Sequence, residues 1–105
     1  MPAERHDTAL LIIDCINDLD FPGGEKVLPW AERMIDRLVA AREAAHAAGV
    51  PVVYVNDNYG HWHSSFSEIY DHCTRPGARG AGVTRKLKPT KADYFILKPK
   101  HSGFF

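Results

Sequence analysis

The sequence has no surplus of either charge. Thirteen lysines and arginines balance thirteen aspartates and glutamates over 105 residues, so net charge gives no pull toward nucleic acid or an anionic membrane surface. Cysteine is scarce: Cys15 and Cys73 alone make no disulfide framework. No apolar run approaches the ~20 residues that span a bilayer, and the N-terminus shows no basic-then-apolar leader pattern. The expected compartment is the cytoplasm, with both thiols reduced. Internal repeats, low-complexity tracts and linkers are also missing, which leaves one compact domain with a modest core. No cofactor is expected, and neither nucleic acid nor membrane is an expected partner. The basic residues lean toward the C-terminal third (Arg75, Arg79, Arg85, Lys86, Lys88, Lys91, Lys98, Lys100), as either a solvated face or a surface for an anion.

What is present begins with Thr8-Ala9-Leu10-Leu11-Ile12-Ile13-Asp14, a nearly continuous apolar run ending on a carboxylate. Such a run suits a parallel strand buried on both faces. An acid at its C-terminal end stands where open α/β sheets place their chemistry. A polar loop follows through Pro22-Gly23-Gly24. Pro29 then opens a helix at a position that tolerates a missing N–H. Trp30, Met34, Leu38, Ala41, Ala45 and Ala48 draw its apolar stripe, and Gly49 stops it. Val50–Val55 is the second strand, and Asn56–Gly60 the loop beyond it. Ser65 or Ser67 caps a short helix through about Cys73. A glycine-rich turn over Arg75–Gly82 leads to a short helix over Val83–Leu87, stopped by Pro89. Tyr94–Leu97 is the third strand, ending on Lys98. The order β-α-β-(α)-β predicts an α/β layered fold whose βαβ unit is parallel and right-handed.

Asp14 and Lys98 end the first and third strands. In a parallel sheet both ends lie on one edge, so carboxylate and ammonium converge there, where the acid can take a proton and the cation can favour an anion. A structural salt bridge, or two unrelated strand-end charges, would have the same spacing. Three function classes fit these residues. Hydrolysis, which is what the family resemblance given next implies, is the first. Phosphoryl chemistry is the second, although phosphatases need an acid where Ile16 stands, and receiver modules need acids that Asp14 and Asp18 do not supply well. The third is a non-catalytic binding or oligomerisation module, without the glycine-rich phosphate loop that Cys15-Ile16-Asn17-Asp18 fails to provide.

Three segments carry a family resemblance. Leu10–Asp18 with Phe21-Pro22-Gly23-Gly24 resembles the opening motif of the isochorismatase-like cysteine hydrolases. Val50–Asp57 is similar to their second strand. Lys98-Pro99-Lys100-His101-Ser102-Gly103-Phe104 resembles their lysine motif, with Lys98 rather than Lys100 at the right offset from Ser102. The resemblance implies an open, mostly parallel, Rossmann-like three-layer sheet with helices on both faces. It also implies an Asp–Lys–Cys triad in which Asp14 and Lys98 are the first two members. The acid deprotonates a cysteine, the lysine favours the thiolate, and the thiolate attacks the carbonyl of a small amide while backbone N–H groups hold the oxyanion. Some relatives instead hydrolyse a vinyl ether with the acid as proton donor.

The family's cysteine follows the lysine motif, beyond residue 105. Cys15 neighbours Asp14, and Cys73 lies in a segment the family does not use for attack. The expectation is therefore a single incomplete domain over 1–105, the N-terminal portion of such a hydrolase, inactive alone. Three apolar strands with one long helix would leave sheet edges and a face uncovered, so a homo-oligomer is expected. Phe21 and Trp62 are candidate pocket walls for a small-molecule substrate, with Phe66 nearby. His61 and His63, near Asp57, alternate as zinc ligands can. The Asp-x-His motif of nicotinamidase-like relatives is broken here by Tyr59, so no metal ligand is assigned. His6, His46, His72 and His101 follow no pattern.

Overall fold

A computed structural model describes residues 7–57 and 65–98. Three strands form a parallel sheet in the order β1 (Leu10–Ile13), β2 (Val52–Asp57), β3 (Tyr94–Lys98). The helices are α1 (Gly24–Ala47), between β1 and β2, and α2 (Phe66–Cys73) and α3 (Ala81–Lys86), between β2 and β3. The open parallel α/β architecture expected from the sequence is the one observed. Trp62, His61, His63 and the tail after Lys98 lie outside the described residues.

α1 starts five residues before the proline that was expected to open it. Gly23, in the left-handed region at φ 89°, turns the chain into the helix, a conformation that costs glycine little. Pro29 lies inside α1 and removes one N–H from its second turn. The other end is as expected. Gly49, at φ 71°, lets its own N–H reach the His46 carbonyl at 3.1 Å and lets the Val50 N–H reach Ala45 at 2.8 Å, a Schellman closure. The buried face of α1 also differs from the expected stripe. Ile35, Arg42 and Ala45 are buried, whereas Trp30 is 67 % and Met34 49 % exposed. The stripe was misplaced because its centre is an arginine. Arg42 donates to the Tyr54 hydroxyl at 3.2 Å and to the Lys88 carbonyl at 3.1 Å, and Tyr54 in turn donates to the Leu87 carbonyl at 2.9 Å. That network makes a buried guanidinium tolerable.

β2 extends two residues past its expected end, so Asn56 and Asp57 belong to the sheet. At α2 the structure chooses Ser65 over Ser67. The Ser65 Oγ accepts from the Glu68 N–H, and the Glu68 carboxylate accepts from the Ser65 N–H, both at 3.3 Å, a reciprocal capping box.

Strand alternation and register place Ile12 and Tyr54 on one face and Leu11, Ile13, Val53, Val55, Tyr94 and Ile96 on the other. The first face carries the core, with Ile35, Phe66, Ile69, Cys73 and Leu87 packed on it. The second is largely open among the described residues: Leu11, Ile13, Tyr94 and Ile96 are each at least half exposed. Full burial of such side chains is worth about 1.5–3 kcal/mol each, so this face holds unused driving force for packing.

Candidate functional site

The site forms at the C-terminal edge of the sheet. The Asp14 N–H donates to the Val55 carbonyl at 2.8 Å, so the ladder with β2 runs one residue beyond β1. There the chain leaves the sheet in the left-handed region, at φ 56°. Few side chains accept that conformation, and aspartate is among those that do so most readily. Lys98 is the last residue of β3, in register with Asp57 of β2. β2 lies between the two strands that carry acid and amine, so their axes are about 9.6 Å apart. The long lysine side chain crosses that gap, and its Nζ donates to Asp14 Oδ2 at 2.7 Å. The amine end is buried, with its side chain 1 % exposed, while the acid is 43 % exposed. The pair therefore has a protected cation and a carboxylate open to a reacting partner.

Phe21 joins Ile13, Asp14, Cys15, Val27 and Met34 around an open, mostly apolar cavity of about 400 Å³. Cys15 is half-buried, its thiol donating to the Ile13 carbonyl at 3.4 Å. Burial, and then the charge of Asp14, push this thiol above its ordinary value, which disfavours the thiolate a nucleophile needs. Cys73 is buried in the core. Among the described residues no group of three or more potential metal ligands is gathered.

The polar loop from Asp14 to α1 is tied down at several points. Thr84 Oγ1 accepts from the Asn17 N–H at 3.3 Å and donates to the Asn17 carbonyl at 3.0 Å. The Gly80 N–H meets the Asp18 carbonyl at 2.7 Å, and Arg79 meets the Leu19 carbonyl at 2.7 Å. The Asp18 carboxylate accepts from the Asp20 N–H at 3.0 Å and from Arg75 at 3.2 Å, and pairs with His72 at 3.0 Å. Burial alone would push this carboxyl up; the Asp20 N–H, Arg75 and His72 outweigh it and hold it below the ordinary value. A carboxyl held low when folded stabilises the fold above its unfolded value of about 3.9, and that contribution is lost as pH falls through the folded value. Asp18→Asn should therefore lower the urea midpoint at pH 6, and the gap between variant and parent should narrow as pH falls below the unfolded carboxyl value of about 3.9. A gap that stays undiminished however far the pH is lowered would assign the effect to something other than the charge.

Sequence reasoning identified both members of the ion pair and one cavity wall, Phe21. It missed Asn56, whose side chain reaches the backbone of Ile16. The available signal was a polar amide directly after an apolar strand, a pattern equally typical of loops.

Comparison with known proteins follows this geometry. The profile of the isochorismatase domain matches residues 8–105. The uncharacterized isochorismatase family protein YaaI of Bacillus subtilis is 37 % identical over 101 residues, covering 96 % of this chain and 55 % of that protein. The ureidoacrylate amidohydrolase RutB of Azorhizobium caulinodans is 26 % identical over 124 residues, covering 94 % of this chain and 55 % of that protein. The chain thus spans about half the length of both curated relatives. No solved structure matches significantly.

Proposed function

Because the chain belongs to the isochorismatase family, we propose that it provides the acid and the lysine of a hydrolase that cleaves a C–N bond in a small amide. Asp14 takes the proton from a cysteine thiol. Lys98 favours the anion that results. The thiolate adds to the carbonyl carbon, backbone N–H groups hold the oxyanion, and the amine leaves with a proton. Water then cleaves the thioester to release the acid product and regenerate the thiol. The observation that carries this reading is the 2.7 Å contact between a buried ammonium and a half-exposed carboxylate at the open end of the sheet. The amidohydrolase named among the relatives supports a C–N bond as the target.

The nucleophile in this reading comes from outside residues 1–105. In support, Cys15 is turned toward its own backbone with a raised thiol pKa, and Cys73 is closed in the core. The open apolar face, with Leu11, Ile13, Tyr94 and Ile96, supports association with further polypeptide, a second copy included. Phe21 walls the substrate cavity in this proposal, and Trp62 is proposed to join it. The test is ammonia release from a panel of small amides, ureidoacrylate among them, by the complete protein as its source produces it. Activity abolished by a thiol reagent, and kept when Cys15 and Cys73 are both replaced by serine, supports the cysteine mechanism. No ammonia from any amide, with a vinyl ether cleaved by the parent and not by Asp14→Asn, would favour general-acid chemistry instead.

A further inference from the structure

We propose that Asn56 is a positioning residue for the Asp14–Lys98 pair, its side-chain amide standing in for one peptide unit of the sheet. The ladder between β1 and β2 ends where the Asp14 N–H meets the Val55 carbonyl at 2.8 Å. Two residues later the pairing resumes with a side chain. Asn56 Oδ1 accepts from the Ile16 N–H at 3.2 Å, and Asn56 Nδ2 donates to the Ile16 carbonyl at 3.0 Å. Both backbone groups of Ile16 thus meet one planar amide, as they would meet a neighbouring strand. The second Nδ2 proton goes to the Asp57 carbonyl at 3.2 Å. Ile16 is fully buried and Asn56 1 % exposed, so water cannot readily replace these bonds, and losing one leaves a buried polar group unmatched.

Asp14 and Cys15 are therefore bracketed. One ladder bond holds the chain before the turn, and the amide holds it after. Backbone strain of the kind seen at Asp14, a non-glycine residue at φ 56°, persists only where the surroundings over-determine it. The bracket supplies that determination. The same strand end also sets the lysine, since Asp57, the next residue of β2, is the register partner of Lys98. Acid and amine are thus referred to adjacent residues of one central strand. Asparagine suits the position because one short, flat group offers both an acceptor and a donor. Ionised aspartate offers only acceptors, and leucine offers neither.

The consequence for catalysis rests on the hydrolase reading, but the positioning itself is measurable without turnover. Amide hydrogen exchange on the unmodified chain comes first. The Ile16 N–H is expected to be protected within about tenfold of the Asp14 N–H, as two bonds of one ladder would be. Exchange of Ile16 at the rate of an open turn overturns the proposal without any variant. Asn56→Asp and Asn56→Leu follow, read by Ile16 exchange and by the side-chain carbon resonances of Asp14 and Lys98. In Asn56→Asp, protonated aspartic acid has both a donor and an acceptor. The ionised carboxylate keeps the acceptor for the Ile16 N–H but loses the donor to the Ile16 carbonyl, so the Ile16 carbonyl carbon resonance should shift as the new carboxyl ionises, with the Asp14 and Lys98 resonances moving over the same range. In Asn56→Leu the protection should be lost at every pH. Asp14 and Lys98 resonances that stay in place while Ile16 loses protection would reduce Asn56 to a structural pin and overturn the positioning role. If Asn56→Leu does not fold, the unmodified chain and Asn56→Asp still decide. Absence of hydrolysis would bear on the proposed function and leave these readouts untouched.

Discussion

Asp14→Asn is expected to destabilise the chain by about 3 kcal/mol, while Lys98→Met, at the other end of the same ion pair, costs about 1 kcal/mol or less. The asymmetry follows from burial. The lysine side chain is 1 % exposed and the aspartate 43 %. Neutralising the acid removes a carboxylate that faces a buried ammonium at 2.7 Å; breaking buried pairs from one side costs about 3–5 kcal/mol. Asparagine keeps the size and the tolerance of the left-handed conformation that position 14 requires, so the loss reports charge rather than backbone. Replacing the lysine by methionine removes the desolvated charge itself, and the exposed carboxylate returns to water. Urea denaturation of both variants at pH 7 checks this. Equal losses at the two ends would mean that the ammonium is as well solvated as the acid.

Gly24→Ala and Gly80→Ala are expected to cost about 3 kcal/mol or more each, the upper range for overpacking a tight contact, whereas Gly82→Ala should stabilise by up to about 1 kcal/mol. A Cβ at position 24 would collide with the Leu19 carbonyl and come within 2.8 Å of an Arg79 nitrogen. At position 80 it would collide with the Asn17 carbonyl and lie 3.0 Å from the Asp18 carbonyl carbon. Both glycines press a helix start against the loop that leaves Asp14, and the atoms in the way are mostly backbone that cannot rotate aside. Gly82 lies inside α3 and would meet nothing within 4 Å, so it serves as the control for helix propensity alone. Thermal melts of the three variants give the comparison. If Gly24→Ala melts with Gly82→Ala, the close approach of α1 to the loop does not exist in solution.

These two sets of substitutions probe features that differed in how well the sequence revealed them. The strand ends at Asp14 and Lys98 were legible because an apolar run closing on a charge is both a burial signal and a boundary. The cap of α2 was legible only as Ser65 or Ser67; the reciprocal pairing with Glu68 that selects Ser65 is seen in the structure. The start of α1 was not. Gly23 and Gly24 read as loop punctuation, and their actual roles, a left-handed turn and a close approach to Leu19, depend on a fold that local pattern does not contain. The buried face of α1 was hidden by Arg42, a charged residue made compatible with the core by Tyr54 and the Lys88 carbonyl, far along the chain, as well as by its neighbour Glu43. The end of β2 was hidden for the same reason. Asn56 looks like the first residue of a loop until its amide is seen paired with Ile16.

Clamping of the Asp14 loop by Thr84, Gly80 and Arg79 gives the segment between β2 and β3 a purpose beyond covering the core. α3 and the turn before it hold the loop at Asn17, Asp18 and Leu19, β2 holds it at Asp14 and Ile16, and Lys98 reaches the acid from the far strand. The candidate site is thus supported by residues spread over most of the described chain.

The most direct test of this account is the rate of amide hydrolysis by the complete protein with Asp14 replaced by Asn, on enzyme whose circular dichroism and urea midpoint show it folded. A fall of about 10²–10⁴-fold is expected, the usual contribution of a positioned acid–base group. A rate within twofold of the parent would contradict it.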